Sequence, residues 1–138
     1  MLDLIIKNGK CYIDGELKDV DVAIKDGKIH KIGQTSDEAK ETINAEGQTV
    51  LPGCIDTQTH FREPGSTDTE DLHSGSRAAI VGGITSVFEM PNTNPPTSTK
   101  IEFQKKLDLA KNRMFCNYAF YFGATADNGS ELAELENL

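Results

Sequence analysis

Leu51-Pro52-Gly53-Cys54-Ile55-Asp56-Thr57-Gln58-Thr59-His60-Phe61-Arg62-Glu63-Pro64-Gly65 runs from a mostly apolar stretch into a polar cluster and closes on a turn pair. Two later stretches, 83–90 and 115–122, are also rich in apolar and β-forming residues. Nearly continuous apolarity predicts strands buried on both faces of a parallel sheet. Helical patterns lie between them. Glu70 to Val81 places Leu72, Ser76, Ala79 and Ile80 at helical spacing, and Gly82-Gly83 supplies a C-terminal stop. Thr99 and Glu102 have the spacing of a capping box, followed by Phe103, Leu107, Ala110 and Met114 on one helical face. Asn128 to Leu138 predicts the start of a third helix with Leu132 and Leu135 inward. Alternation of strand and helix predicts an α/β fold of about three β/α units with right-handed parallel crossovers.

Working back towards the N-terminus, the first fifty residues read as all-β. Leu2 to Ile6 is a short apolar run ending at Asn8-Gly9, and Val20, Val22 and Ile24 alternate with polar residues. Asp26-Gly27 then predicts a tight hairpin turn into Ile29 and Ile32, the clearest hairpin signal in the chain. Gly33 to Lys40 reads as loop and Thr42 to Val50 as a further strand. The division falls at a β segment over 1–50 and the β/α units over 51–138.

Composition narrows the function classes. The chain has 138 residues, 37% hydrophobic and 26% charged, with a net charge of −8. That balance fits a well-solvated globular enzyme and argues against nonspecific nucleic-acid binding, which needs a basic surface. No apolar run reaches the roughly 20 residues of a membrane span, and no secretory signal precedes the first strand. Cys11, Cys54 and Cys116 are widely spaced and form no Cys-x-x-Cys pair, which fits a reducing, cytoplasmic setting.

On a regular strand Asp56, Gln58 and His60 share one face, at the end where parallel α/β folds gather ligands. Gln58 and His60, at i and i+2, can grip one metal ion, although an amide oxygen is a poorer zinc ligand than imidazole. A lone histidine after a strand is also commonly an ordinary polar residue. Arg62 suits bidentate capture of a substrate carboxylate or, equally, a surface ion pair with Glu63 or Asp71. Met90-Pro91-Asn92-Thr93-Asn94-Pro95-Pro96 is a proline-stiffened loop at the same end of the sheet. Its Asn92 and Asn94 offer donors and acceptors for a ring amide or carboxylate, or serve as permissive turn residues. His73 falls on a helix and reads as solvated, His30 lies in the β-rich segment, and Glu89 has no evident role.

With these motifs in place, the run Leu51 to Gly65 resembles the opening motif of the amidohydrolase superfamily in its dihydroorotase form. Gly75-Ser-Arg-Ala-Ala79, Gly82-Gly-Ile-Thr and Met90-Pro-Asn-Thr-Asn-Pro95 match the same family in order and spacing. The resemblance implies the start of a (β/α)8 TIM-type barrel preceded by part of a small β-sandwich. It implies a zinc hydrolase that reversibly closes carbamoyl aspartate to dihydroorotate in pyrimidine synthesis, with one or two zinc ions in the complete enzyme. His60 and Gln58 would then lie at the metal, and Arg62 and Asn92 would hold the substrate carboxylate. Gln58 stands where the family has a first histidine. A barrel of this type takes about 250 residues, so the resemblance implies a truncated chain. The bridging ligand, later histidines and catalytic aspartate would lie outside it, leaving it inactive by itself with an open sheet edge. The alternatives are a silent structural partner of aspartate transcarbamoylase and a related allantoinase or hydantoinase; a homodimer is also open.

Overall fold

The structure, a computed structural model, describes residues 1–135 and divides into two units, Met1–Pro52 and Gly53–Leu138. In the first, β1 (Leu2–Lys7) is followed by two hairpins: β2 (Lys10–Ile13) with β3 (Glu16–Asp19), and β4 (Val22–Lys25) with β5 (Lys28–Ile32). Both turn on Asp-Gly pairs with left-handed backbone, Asp14 and Gly15 at φ 53° and 85°, Asp26 and Gly27 at 52° and 70°. Positive φ at both central residues matches the right-handed twist of the flanking strands. The Asp26-Gly27 hairpin is the expected one. The Asp14-Gly15 hairpin has only Cys11 buried among its eight strand residues, so alternation does not announce it. Two further strands, β6 (Ala39–Asn44) and β7 (Thr49–Val50), pair parallel to β1 and β2. The sheets run β5-β4-β1-β6 and β3-β2-β7, and Leu2, Ile5 and Ala23 form a small core.

The second unit runs β8 (Cys54–Thr59), α1 (Leu72–Val81), β9 (Ile84–Glu89), α2 (Lys100–Ala110), β10 (Asn117–Phe120) and α3 (Gly129–Leu132). The strands form a parallel sheet in the order β10-β9-β8, as the strand–helix alternation requires. Asp71 and Ser74 close a capping box at the start of α1, and Gly83 at φ 85° follows its C-cap. The Asp71 carboxyl accepts the Ser74 N–H, which with the Ser74 hydroxyl holds it below the ordinary aspartate range. At α2 the Thr99 hydroxyl accepts the Glu102 N–H at 3.2 Å. Phe61, Leu72, Ala79, Val87, Ala110 and Cys116 make the core, with Ile84, Leu109, Met114 and Phe120 against it.

Three expectations are corrected. The strands are not buried on both faces: Ile55 is 61% exposed while Val87 is fully buried. Even the interior strand β9 is covered on one face only: Val87 and Glu89 are buried, whereas Thr85 and Phe88 are exposed. In α2, Phe103 and Leu107 are half-buried whereas Lys106 is completely buried. A buried counter-charge on β9 outweighs the apolar pattern there. The third helix is four residues long, with Leu132 and Leu135 half-buried; residues 136–138 of the expected span lie outside the described residues. The Asn128 side chain, instead of capping α3, donates to the carbonyls of Ser98 and Gly123 at 2.8 Å each. Among the described residues no helix is long and apolar enough to cross a membrane.

Gly75 fixes how the β8 loop meets α1. A Cβ there would lie 2.4 Å from the Phe61 ring, so only glycine lets the ring rest on the helix. Gly75→Ala is expected to destabilise the fold by about 1–3 kcal/mol, the usual range for overpacking a core. A Cβ on Gly129 meets nothing within 4 Å, so in urea titrations of both variants Gly129→Ala should leave the denaturant midpoint unchanged or slightly raised while Gly75→Ala lowers it.

Candidate functional site

The C-terminal ends of β8, β9 and β10 are joined by backbone bonds that continue past the strands. The Met90 N–H donates to the Thr59 carbonyl at 2.9 Å and the Tyr121 N–H to the Glu89 carbonyl at 3.0 Å. The loops beyond are tied as well. The Asn94 N–H donates to the Pro64 carbonyl at 2.9 Å, and the Gly123 N–H to the Thr97 carbonyl at 2.8 Å. Gly65, at φ 121°, lets the backbones approach: a Cβ there would sit 2.9 Å from the Asn94 Cβ. Thr93 donates its hydroxyl to the Pro95 carbonyl at 2.9 Å and the Thr97 N–H donates to the Pro91 carbonyl at 2.9 Å, closing the proline-rich loop on itself.

This stitching brings two of the four residues expected at the site into direct contact. His60 Nδ1 lies 2.8 Å from Asn92 Oδ1. An amide oxygen only accepts, so Nδ1 is the donor, and in the neutral imidazole that tautomer leaves the lone pair on Nε2. Gln58 is exposed, and its N–H is taken by the Asp56 carboxylate at 2.9 Å. The β8–β9 register shifts between Asp56 and Thr59, so Gln58 enters through an irregular stretch and simple alternation does not govern it. Thr59 is buried, its hydroxyl donating to the Phe88 carbonyl at 3.3 Å.

Arg62 is exposed, at φ 63°, and makes no ion pair among the described residues. Left-handed backbone at a residue with a side chain costs roughly 1–2 kcal/mol, and its neighbours hold it there. Neither expected partner takes the guanidinium, since Asp71 caps α1 and Glu63 turns inward. The Glu63 carboxylate accepts both Arg113 nitrogens, at 2.8 and 3.1 Å, and the Leu72 N–H at 2.9 Å. Bonding to Glu63 raises the Arg113 pKa. Glu89 and Lys106 form a second ion pair, with side chains 1% and 0% exposed. Burial pushes the Glu89 carboxyl up and the Lys106 ammonium down, and each opposes the shift in the other.

A tetrahedral zinc site takes four donors. No three His, Cys, Asp or Glu side chains cluster for metal binding among the described residues. By chemistry the His60 imidazole suits one such position and the Gln58 amide oxygen is a weaker kind of donor. These residues therefore fit part of a metal shell, not a whole one.

A family model described as "Amidohydrolase family" matches residues 49–136. The chain belongs to the amidohydrolase family. It is 42% identical over 137 residues to an allantoinase of Escherichia coli O1:K1 / APEC, a match covering 99% of this chain and 30% of that protein. Among solved structures it superposes on the L-hydantoinase (dihydropyrimidinase) from Arthrobacter aurescens with a TM-score of 0.91 at 35% identity, covering 99% of this chain and 31% of that one. The D-hydantoinase (dihydropyrimidinase) from Thermus sp. gives a TM-score of 0.78 at 27% identity over 96% of this chain and 30% of its own. The chain thus spans about 30% of the length of the relatives it matches.

These relatives share the cyclic-amide class with dihydroorotase but carry other names, and the Phe61-to-Gly65 segment explains why that motif marks the fold more than the substrate. Phe61 rests on Gly75, Glu63 binds Arg113 and caps Leu72, and Pro64 and Gly65 meet Asn94. Among the described residues, Arg62 alone of this segment is exposed with no ion-pair or hydrogen-bond partner for its side chain. Arg113 and Lys106 were not legible as site-supporting residues, because each meets its carboxylate only through the fold. Arg113→Ala would leave the Glu63 carboxylate buried with a single donor and is expected to cost about 2–3 kcal/mol, while Glu63→Gln, which keeps an acceptor for Leu72, should cost less; urea unfolding of both variants checks the order.

Proposed function

We propose that this chain forms the first part of the active site of a metal-dependent cyclic amidohydrolase that opens the ring C–N bond of a cyclic ureide of the allantoin or hydantoin type. The His60 Nδ1–Asn92 Oδ1 bond is the observation that carries the reading. Histidines that ligate metals donate their other ring N–H to an oxygen acceptor, which fixes the tautomer and aims the free nitrogen. Similarity to an allantoinase and to hydantoinases supports the substrate class.

In this reading His60 Nε2 is one ligand, and Gln58, from the irregular end of the same strand, is a weak second candidate. The remaining donors come from polypeptide beyond these residues, arranged on later strands of a (β/α)8 barrel. A metal ion such as zinc, when bound there, would supply a water of lowered pKa and Lewis-acid polarisation of a carbonyl. The chain's own contribution is orientation. Asn92 fixes the imidazole through Oδ1 and keeps Nδ2 for a ring carbonyl. Arg62, held in left-handed backbone with no internal partner, presents its guanidinium to an anionic or carbonyl oxygen of the substrate. One feature favours a second substrate, dihydroorotate: an unpaired arginine at a strand's C-terminal end suits a carboxylate.

Turnover of allantoin, hydantoin and dihydroorotate, compared in the protein carrying this chain with metal present and after chelation, separates the readings. Hydrolysis of a ureide lost on chelation is expected, and faster turnover of dihydroorotate would select the second substrate. Asn92→Ala should weaken metal binding by about 10–100-fold, the usual effect of removing such an orienting partner. Arg62→Gly should raise KM without lowering Tm, because glycine accepts the left-handed backbone. Metal affinity unchanged by His60→Ala, or hydrolysis indifferent to chelation, would overturn the proposal.

A further inference from the structure

We infer that Glu89 and Lys106 are positioning residues, a buried ion pair that sets the ends of β8 and β9 so that His60 Nδ1 meets Asn92 Oδ1. The functional meaning rests on His60 being a metal ligand, as proposed above.

The argument starts from cost. Lys106 has no exposed side-chain surface and Glu89 1%. A buried pair of charges loses hydration that its mutual attraction recovers only with good geometry, and apolar residues of similar volume often stabilise as well or better. Such a pair is explained by what it orders. Lys106 Nζ contacts the Glu89 carboxylate, donates to the Met90 carbonyl at 3.2 Å and lies 4.9 Å from the centre of the Phe120 ring. The Met90 peptide groups are therefore held from two sides, the carbonyl by Lys106 and the N–H by the Thr59 carbonyl. Thr59 immediately precedes His60, and Asn92 stands two residues beyond Met90. Both partners of the His60–Asn92 bond thus hang from backbone that the pair fixes.

Lys106→Met alone would strand a buried carboxylate and can prevent folding. The test uses Glu89→Gln/Lys106→Met and, as a second pair, Glu89→Leu/Lys106→Met, each neutral and close in volume. Folding is established by the dispersion of the amide spectrum. The readout is the pair of ring 15N signals of His60, at a pH where imidazoles are neutral and with no metal or substrate added. In the unmodified protein Nδ1 should give a pyrrole-type signal and Nε2 a pyridine-type one. In a folded double variant the two should move together towards intermediate shifts as the tautomers mix. A folded double variant with the unmodified His60 signals overturns the inference, as does an unmodified protein whose His60 tautomers are already mixed. Absence of cyclic-amide hydrolysis would count against the proposed function alone, since the imidazole signals are read without turnover.

Discussion

Lys106 reaches completely out of solvent to meet Glu89 beneath the end of β9, and the geometry above it follows from that contact. An ammonium without water needs a counter-charge and acceptors, so the position of α2 against the sheet is fixed to within a hydrogen bond. The acceptor it takes besides Glu89 is the Met90 carbonyl, the first peptide of the proline-stiffened loop. Just beyond α2, Arg113 takes Glu63 in the neighbouring loop in the same way. One helix and its following turn thus hold two loops by two cations. The pieces of the candidate site inherit their spacing from α2.

This arrangement separates two kinds of residue within one motif. Phe61, Glu63, Pro64 and Gly65 are spent on packing and bonding inside the unit. Arg62 is spent on nothing internal and yet sits in a backbone conformation that costs free energy. The neighbours that impose this conformation are the same ones that tie the loop to α2 and to Asn94. A motif built this way identifies the architecture strongly and the substrate weakly, because most of its residues answer to the fold.

How much of this was readable along the chain depends on the range of each interaction. The β/α order, the Asp26-Gly27 hairpin, the Gly82-Gly83 stop and the Thr99 cap are local, and each followed from a few adjacent residues. The sequence points to both His60 and Asn92 as site candidates, but as a metal ligand and a substrate ligand. Their bond spans 32 residues and appears only when β8 and β9 lie side by side. Glu63 and Arg113 are 50 residues apart, so nothing near Glu63 distinguishes an inward carboxylate from a surface one. Lys106 was hidden for a sharper reason. Hydrophobic periodicity assigns a lysine to the wet face, and only the buried carboxylate of Glu89 reverses the sign of that rule.

Gln58 shows where such reading stops and physical argument continues. Alternation on a strand would place it beside His60 as a second ligand, but the Asp56 carboxylate takes the Gln58 N–H just where the ladder to β9 loses register. A carboxylate bonded to its own strand is less free to serve a metal, and the neighbouring amide oxygen is a weak donor. In the proposed reading the β8 end would therefore offer one strong ligand, His60, held by its bond to Asn92. With a single strong donor on this strand, metal affinity in that reading would depend more heavily on the exact aim of that donor. That dependence gives a physical reason for a buried ion pair to be kept at the crossing of β9 and α2, where an apolar pair would fill the same space.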